Sequence, residues 1–219
     1  MLTVETAKRI LCYGDSNTWG QHPSTRTRFS VNERWTALLQ RALGDAVDII
    51  EEGLSSRTTD LDYATKPGRN GKRYLVPCLQ SQNPLHAVIL MLGTNDLKIE
   101  FDRSAGEIAT AIKGLVADIR AAAKDGPAGQ PPRVLLVSPV PLNPDAPDYK
   151  QLYPQYYNER SAAVSRELTA AIKQVASEMN CAFFDAGSVA VTGDDGVHLS
   201  QESHAALAAA LTPVVKETL

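Results

Sequence analysis

Near the start of the chain, a serine stands in a glycine-containing segment directly after a short apolar run. The segment covers residues 14–20 and has the sequence GDSNTWG. A glycine at a strand end, with a small polar residue two positions later, allows a tight turn that presents a hydroxyl and backbone N–H groups beyond the sheet. Ser16 is therefore a candidate nucleophile, and the alternative is a turn in which Ser16 only caps a helix. The segment is not the Gly-x-Ser-x-Gly motif of α/β-hydrolases, because position 18 is threonine.

A serine hydroxyl is a weak nucleophile without an adjacent base, which directs attention to the four histidines of the chain. Of these, only His198 follows a carboxylate by three residues in a glycine-containing loop, the segment 195–198 with the sequence DGVH. A turn can fold Asp195 onto the imidazole, where it would hold Nδ1–H and leave Nε2 free to take a proton. His22 is the competitor because it is close to Ser16 in the chain, whereas His86 and His204 are predicted to be structural or solvated.

Two other predicted strands end in residues that can donate hydrogen bonds. The segment 93–96, with the sequence GTND, follows an apolar run, and its Asn95 can bring a carboxamide over the sheet edge. Gly53 ends another run and can offer its backbone N–H from an open conformation. The alternative for Asn95 and Asp96 is a turn that their side chains stabilise. Three strand ends thus each bring a candidate donor.

The elements that must position these residues are indicated by hydrophobic periodicity. Short apolar runs rich in β-branched residues alternate with segments of helical periodicity, which predicts a parallel sheet with crossover helices. The predicted strands cover residues 9–13, 47–50, 87–92, 134–137 and 182–184. The predicted helices cover residues 32–43, 105–123, 156–179 and 201–211.

Two segments have neither pattern and are predicted to be long loops. Residues 54–73 are rich in basic residues and glycine, and residues 138–154 contain five prolines. Both follow the carboxyl ends of predicted strands, which is the side where open α/β sheets bind ligands. We therefore expect these loops to build a site or a subunit contact.

Composition narrows the class of protein and of partner. The chain has 219 residues, of which 43% are apolar and 21% charged, and these values are typical of a soluble globular domain. No internal repeat or linker divides it, so one domain over residues 1–219 is expected. A net charge of −3 with mixed signs makes nucleic acid and anionic membranes poor candidates for partners.

Neither export nor membrane insertion is indicated. The first residues lack an apolar stretch behind basic residues, and the longest apolar runs, 87–92 and 205–211, are far shorter than the roughly 20 residues that span a bilayer. The three cysteines have no metal-ligand spacing and are predicted to be reduced thiols. The sequence therefore predicts a cytoplasmic protein.

In chain order, the segments around Ser16, Gly53, Asn95 and His198 resemble the four sequence blocks of the SGNH-hydrolase (GDSL-type esterase/lipase) family. The resemblance extends from residue 8 to about residue 212. The strings CYGDSNTWG at 12–20, EEGLSSRTT at 51–59 and FDAGS at 184–188 further resemble the bacterial arylesterase/acyltransferase branch. The chain departs from the family at Asn17, where the family name expects leucine, and this affects the expected shape of the acyl pocket.

The resemblance implies a fold and a set of roles. The fold is a three-layer α/β/α arrangement around a flavodoxin-like, five-stranded parallel sheet. Ser16 would attack an ester carbonyl, His198 would take its proton and Asp195 would orient His198. The implied oxyanion hole consists of the backbone N–H groups of Ser16 and Gly53 and the side-chain amide of Asn95. The remaining assignments are Asp15 and Asp96 as loop supports and Asn17 and Trp19 as candidate walls of the acyl pocket.

The implied activity is hydrolysis of short-chain, acetyl-type esters of aryl, alkyl or carbohydrate alcohols through an acyl-enzyme on Ser16. Acyl transfer to alcohols or peroxide is an expected side activity, with no metal or other cofactor. This branch includes oligomeric members, so the resemblance implies a homo-oligomer here. The rival enzyme class is a metal-dependent phosphoesterase whose ligands would include Asp15, Asn95, Asp96 and His198. A non-catalytic, flavodoxin-like phosphate-binding module is the third alternative, although the chain has neither a GxGxxG motif nor a Walker loop.

Overall fold

Five parallel strands form the central sheet, in the spatial order β2-β1-β3-β4-β5. The computed structural model of the protein describes residues 7–123 and 126–219. The strands are β1 (Lys8–Gly14), β2 (Val47–Gly53), β3 (Ala87–Met91), β4 (Arg133–Ser138) and β5 (Ala182–Asp185). Gly14 pairs with both Gly53 and Met91, so the carboxyl ends of β1, β2 and β3 lie at one edge of the sheet. All five predicted strands are confirmed.

Seven α-helices connect or follow the strands in the described part of the chain. They are α1 (Ser16–Trp19), α2 (Trp35–Leu43), α3 (Gly71–Gln82), α4 (Ala105–Ala122), α5 (Tyr149–Leu152), α6 (Glu159–Glu178) and α7 (Gln201–Thr218). The four predicted helices are confirmed as α2, α4, α6 and α7. Within these residues, no helix combines the length and the apolar character needed to cross a membrane.

The largest differences from the sequence expectation lie at two prolines. α3 was not predicted, because Pro77 stands inside it and its start falls in the predicted loop 54–73. α7 continues beyond its predicted end at residue 211 and passes through Pro213. In both helices, apolar side chains beyond or around the proline are buried against the sheet, including Leu79 in α3 and Val215 in α7. Tertiary packing therefore outweighs the local cost of a proline in these helices.

Helices cover both faces of the sheet. Leu11 and Tyr13 of β1 belong to the core cluster formed with α3, α4 and α6, whereas Ile10 and Cys12 belong to the cluster formed with α2 and α7. Burial on both faces explains why the strands are continuous apolar runs and do not alternate between apolar and polar residues. The three-layer α/β/α arrangement that the resemblance implies is confirmed.

The strand order places a ligand crevice at a definite point of the sheet. The chain runs from β1 outward to β2 and then returns to β3 on the other side of β1. In open α/β sheets, ligands bind at the carboxyl ends of the strands where the order reverses in this way. Ser16 directly follows β1, and Asn95 lies in the turn after β3. The fold therefore brings both residues to the crevice.

His204 of α7 is buried in the contact between α7 and α2. Its Nδ1 accepts a hydrogen bond of 3.2 Å from the backbone N–H of Trp35, so the neutral ring carries its proton on Nε2. This Nε2 has no hydrogen-bond partner in the part of the chain that the structure describes. Burial lowers the pKa of His204 from 6.5 to about 4, which means that the folded state holds the ring neutral.

We expect His204 to make the protein less stable as the pH falls from about 6.5 towards 4. In this range the unfolded chain protonates the imidazole and the folded chain does not, so protons favour unfolding. Between pH 7 and pH 5 the wild type should lose about 2 kcal/mol more unfolding free energy than His204→Leu. Urea unfolding at both pH values measures the difference, with His22→Leu as the control. Equal losses in the wild type and His204→Leu would contradict the assignment.

Candidate active site

Ser16 is the first residue of α1, in a turn that only glycine can begin. A Cβ at Gly14 would lie 2.0 Å from the Thr18 Oγ1 and 2.7 Å from the backbone oxygen of Met91. The Asp15 carboxylate caps α1, because its Oδ1 accepts a hydrogen bond of 2.9 Å from the Asn17 N–H. These contacts explain why a glycine and an aspartate precede the serine and fix its position.

The structure brings together the predicted nucleophile, the predicted base and the carboxylate predicted to orient that base. The Nε2 of His198 lies 2.9 Å from the Ser16 Oγ, although the two residues are 182 positions apart in the chain. On the other side of the ring, Nδ1 lies 2.6 Å from the Oδ2 of Asp195. The second oxygen of Asp195 accepts hydrogen bonds from the backbone N–H groups of Val197 and His198. The predicted turn thus folds the carboxylate onto the imidazole.

The surroundings of Asp195 keep its carboxylate ionised. Burial alone would raise its pKa, but the hydrogen bonds and charge of His198, together with the backbone N–H groups, hold the pKa below its ordinary value. The Tyr153 hydroxyl also donates a hydrogen bond of 3.2 Å to Oδ2, the oxygen that faces the imidazole. An ionised Asp195 favours the tautomer with its proton on Nδ1, which leaves Nε2 as an acceptor for the Ser16 proton.

Asn17 holds the loop that carries His198. Its Nδ2 donates to the carbonyl of Val197 at 3.3 Å, and its Oδ1 accepts from the N–H of Leu199 at 2.9 Å. The buried amide therefore joins α1 to the residues on both sides of His198. The sequence placed Asn17 and Trp19 in the wall of the acyl pocket, but neither lines the cavity at Ser16. Trp19 instead lies under the guanidinium of Arg28, at 5.7 Å from the ring centre.

Asn95 is held beside Ser16 by Asp15. It lies in a buried turn after β3, and its Nδ2 donates to the Oδ2 of Asp15 at 3.4 Å. One N–H of the carboxamide is used in this contact and the other has no partner among the described residues. Burial raises the pKa of the Asp15 carboxyl, while the Asn17 N–H and the charge of His198 act in the opposite direction. Asp15 thus links the turns after β1 and β3, in agreement with a supporting role.

Asp96 connects the turn after β3 to the loop after β2. Its carboxylate accepts hydrogen bonds from the backbone N–H and the hydroxyl of Thr59 and lies 3.5 Å from Arg103. Asp96 is fully buried, and this burial raises its pKa to about 7. The Asp96 carboxylate is therefore bonded to other residues of the protein and joins the two loops, as expected of a loop support.

A cavity of about 250 Å³ opens above Ser16. An apolar cavity of roughly 150 Å³ accepts one benzene molecule, so this cavity has room for only a small ligand. Its lining comes from the turns after β1 and β3, the two long loops and the His198 loop. The lining residues are Ser16, Gln21, Arg26, Ser55, Ser56, Lys66, Thr94, Asn95, Lys98, Leu152, Tyr153, Gln155, Tyr156, Tyr157, Val197 and His198.

Gly53 is not part of the lining of this cavity and instead lines a separate one, together with Leu54 and Arg57 among others. A Cβ at Gly53 would lie 2.1 Å from the backbone nitrogen of Trp19, so glycine permits α1 to pack on β2. The next N–H, that of Leu54, bonds to the carbonyl of Gly14 in β1. Because successive N–H groups of a strand point in opposite directions, that of Gly53 points away from β1.

Ser56 from the same loop lines the cavity and was not singled out in the sequence. Its backbone has a φ of 67°, in the left-handed region that non-glycine residues seldom adopt. Its N–H has no hydrogen-bond partner in residues 7–123 or 126–219. A strained residue with an unpaired N–H at a cavity wall often has a functional role. No sequence signal distinguishes Ser56 from its neighbours, because backbone φ is not visible in the residue type.

The other histidines lie outside the cavity lining. His22 accepts a hydrogen bond from the N–H of Ser24 in its own loop, at 3.2 Å. His86 accepts one from the N–H of Arg9 at 3.0 Å, at the amino end of the sheet. With His204 buried beneath α2, His198 is the histidine beside Ser16. The arrangement provides a hydroxyl, a base that can take its proton, an orienting carboxylate and nearby N–H groups, which together suit acyl transfer.

Comparison with known families confirms the resemblance seen in the sequence. The sequence model of the GDSL-like lipase/acylhydrolase family matches residues 12–206, a range that contains Ser16, Asn95 and His198. The chain belongs to this family. The family match covers all five strands except the first part of β1 and thus most of the fold described above.

Several solved structures share this fold at substantial sequence identity. The native M. smegmatis aryl esterase is 41% identical and has a TM-score of 0.88, over 97% of this chain and 100% of the other. A carbohydrate acetylesterase from Sinorhizobium meliloti is 38% identical, with a TM-score of 0.87 and the same coverage. A putative arylesterase from Agrobacterium tumefaciens is 34% identical, with a TM-score of 0.85 and again the same coverage. Among curated proteins, no sequence matches the chain.

Proposed function

We propose that the protein is a serine esterase that hydrolyses short-chain carboxylic esters through an acyl-enzyme on Ser16. The observation that carries the proposal is the continuous contact from Ser16 Oγ to His198 Nε2, at 2.9 Å, and from His198 Nδ1 to Asp195 Oδ2, at 2.6 Å. The family membership and the solved aryl esterase and acetylesterase structures agree with ester hydrolysis.

In the proposed reaction, Ser16 Oγ attacks the ester carbonyl carbon while His198 Nε2 takes the hydroxyl proton. The carbonyl electron pair moves to the oxygen, and when it returns, the bond to the alcohol breaks. His198 gives the proton to the departing alkoxide, which leaves as the alcohol. Water then attacks the acyl-enzyme with His198 again as base, so that the acid is released and Ser16 is restored.

The tetrahedral intermediate needs donors for its oxyanion. We assign the backbone N–H of Ser16 and the free N–H of the Asn95 carboxamide to this role, since both residues line the cavity. The third donor predicted from the sequence is Gly53, and the geometry favours the unpaired N–H of Ser56 in its place. Each preorganised donor of this kind contributes about 3–4 kcal/mol to lowering the barrier.

The size of the cavity supports a short acyl group. A volume of about 250 Å³ has room for a small acyl chain and part of the alcohol, and little more. We therefore keep acetyl-type esters of aryl, alkyl or carbohydrate alcohols as the substrate class, in line with the aryl esterase and carbohydrate acetylesterase among the solved structures. Acyl transfer to alcohols or peroxide belongs to the same proposal, because either nucleophile can replace water at the acyl-enzyme.

The metal-dependent phosphoesterase is less well supported. Its proposed ligands are engaged elsewhere, since Asp96 accepts from Thr59 and Asp15 from Asn17 and Asn95. In residues 7–123 and 126–219, no three His, Cys, Asp or Glu side chains are grouped as metal ligands would be. The geometry thus favours the serine mechanism.

Two reagents separate the two enzyme classes. A serine-reactive organophosphonate should abolish hydrolysis of p-nitrophenyl acetate, and mass spectrometry should find one adduct, on the peptide that carries Ser16. EDTA should leave the rate unchanged, and the same EDTA treatment of a known metal-dependent esterase provides the control. Loss of activity in EDTA together with resistance to the organophosphonate would establish the metal alternative instead.

Three broader expectations stay predictions. We propose one domain over residues 1–219, a homo-oligomer and a cytoplasmic location, as the sequence and its resemblance imply. Light scattering tests the second of these directly. A mass equal to that of the 219-residue monomer would contradict the predicted homo-oligomer.

A further inference from the structure

The wall of the Ser16 cavity carries positive charge without a carboxylate to balance it. Arg26, Lys66 and Lys98 line the cavity, and none of its lining residues is Asp or Glu. This contrasts with the whole chain, whose net charge is −3. The excess of positive over negative side chains is therefore local to the cavity.

Lys98 is the most informative of the three cations, because its side chain is only 5% exposed. Its Nζ donates one hydrogen bond, to the hydroxyl of Tyr63 at 2.8 Å. It forms no ion pair with any carboxylate in the described residues, and two of its three N–H groups have no partner there. An ammonium taken out of water without a counter-ion is costly, and protein structures seldom contain one without a reason.

Of the three carboxylates whose charge acts on Lys98, Glu100 is exposed and forms no ion pair with it among the described residues, and the other two are bonded to other groups. Asp96 is bonded to Thr59, and Asp15 is bonded to the Asn17 N–H and to Asn95. These two and Glu100 raise the pKa of Lys98, but burial and the charge of Lys66 outweigh them and lower it to about 8. At neutral pH the side chain is therefore still mostly protonated and its charge is not paired within the protein.

Lys66 brings a second ammonium to the same two aromatic rings. Its Nζ lies 5.6 Å from the ring centre of Tyr63 and 5.3 Å from that of Tyr156. The Nζ of Lys98 lies 4.8 Å and 5.3 Å from the same centres. The faces of the rings attract both cations, but this attraction uses none of the N–H groups and does not remove the repulsion between the lysines. A bound anion would accept hydrogen bonds from the free N–H groups and would offset the repulsion between the two lysines.

We propose that Lys66 and Lys98 form an anion subsite in the Ser16 cavity, and that the preferred substrates are esters that carry a carboxylate. This inference rests on the proposed esterase function. The carboxylate can belong to the acyl group, as in a half-ester of a dicarboxylic acid, or to the alcohol, as in an acyl ester of a hydroxy acid. Charge-assisted hydrogen bonds from the two ammonium groups would hold it.

Two pairs of esters test the subsite and identify which part of the substrate is charged. The first pair is mono-p-nitrophenyl succinate and its methyl ester, with the charge in the acyl group. The second pair is 4-acetoxybenzoate and its methyl ester, with the charge in the leaving group. We expect kcat/KM for the charged member to exceed that of the neutral member by about tenfold or more in one pair. Ser16→Ala supplies the background rate, including any self-hydrolysis of the succinate.

Lysine variants show whether the preference depends on the proposed residues. In Lys66→Met and in Lys98→Met, the ratio of charged to neutral kcat/KM should fall by about tenfold. Lys66→Met keeps the test decisive if Lys98→Met does not fold, because Lys66 is only partly buried. The matched control is Lys173→Met, at an exposed position of α6 outside the cavity, where the ratio should stay that of the wild type.

The outcomes separate this inference from the proposed function. Hydrolysis of the neutral esters with no preference for the charged member of either pair would overturn the anion subsite and leave the esterase intact. A preference that Lys66→Met does not reduce would overturn it equally. Failure of the wild type to hydrolyse any of the four esters, and p-nitrophenyl acetate as well, would instead remove the proposed function.

Discussion

Ser16→Ala is expected to lower kcat for p-nitrophenyl acetate by about 10⁴-fold or more, as removal of the nucleophile does in serine hydrolases. The Ser16 hydroxyl does not hold the fold together, because its Oγ is bonded to His198 Nε2 at 2.9 Å. The backbone that positions it is held by Gly14 and the Asp15 cap, which the substitution leaves in place. Activity should therefore disappear while the thermal unfolding curve stays unchanged.

The control for this variant is Ser188→Ala. The Ser188 hydroxyl is exposed, bonds to the carbonyl of Asp185 and lies away from the cavity. It should retain the wild-type rate. Full activity in Ser16→Ala, with the organophosphonate adduct found on another residue, would show that the nucleophile has been assigned to the wrong side chain.

His198→Ala should reduce kcat by a similar factor, about 10⁴-fold, because the nucleophile and its base act as one unit. Without the imidazole that Asp195 orients, Ser16 loses Nε2 as its proton acceptor and stays a weak nucleophile. The double variant Ser16→Ala/His198→Ala should be hardly slower than either single variant. Steady-state rates on p-nitrophenyl acetate measure all three.

His22→Ala is the matched histidine control. The sequence made His22 the competitor, and the structure places its ring in a surface loop, bonded to the N–H of Ser24. We expect its kcat to stay within about twofold of the wild type, as for a surface substitution away from the site. Equal losses in His198→Ala and His22→Ala would mean that the choice between the two histidines was mistaken.

The parts of the site that could be predicted are those in which residue type and local order carry the information. Strand ends, glycine turns and the DGVH segment at 195–198 are local patterns, and parallel strands place their carboxyl ends at one edge. Ser16, Asn95 and His198 could therefore be selected before their distances were known. The helix α3, which contains Pro77, and the continuation of α7 through Pro213 could not, because there the packing of distant residues overrides local propensity.

Other assignments depended on backbone direction, which residue type does not encode. The conformational freedom of Gly53 indicates a backbone donor. In the structure, a glycine is needed there because the backbone of Trp19 packs directly against it. Ser56, three residues further along the chain, has the unusual φ and an N–H without a partner among the described residues. Asn17 was assigned to the acyl pocket from its place beside the nucleophile, but its amide reaches the backbone on both sides of His198.

By itself, the sequence determined the fold class and the family, and it predicted Ser16 as the nucleophile, because these follow from periodicity and from short motifs in a definite order. Only the tertiary structure decided how the cavity is charged. A net charge of −3 summed over the chain agrees with a neutral substrate, whereas Lys66 and Lys98 meet at one wall without a carboxylate. The physical reason is that electrostatic energy depends on the distances between charges and on their burial, and neither can be obtained from a sum over residues.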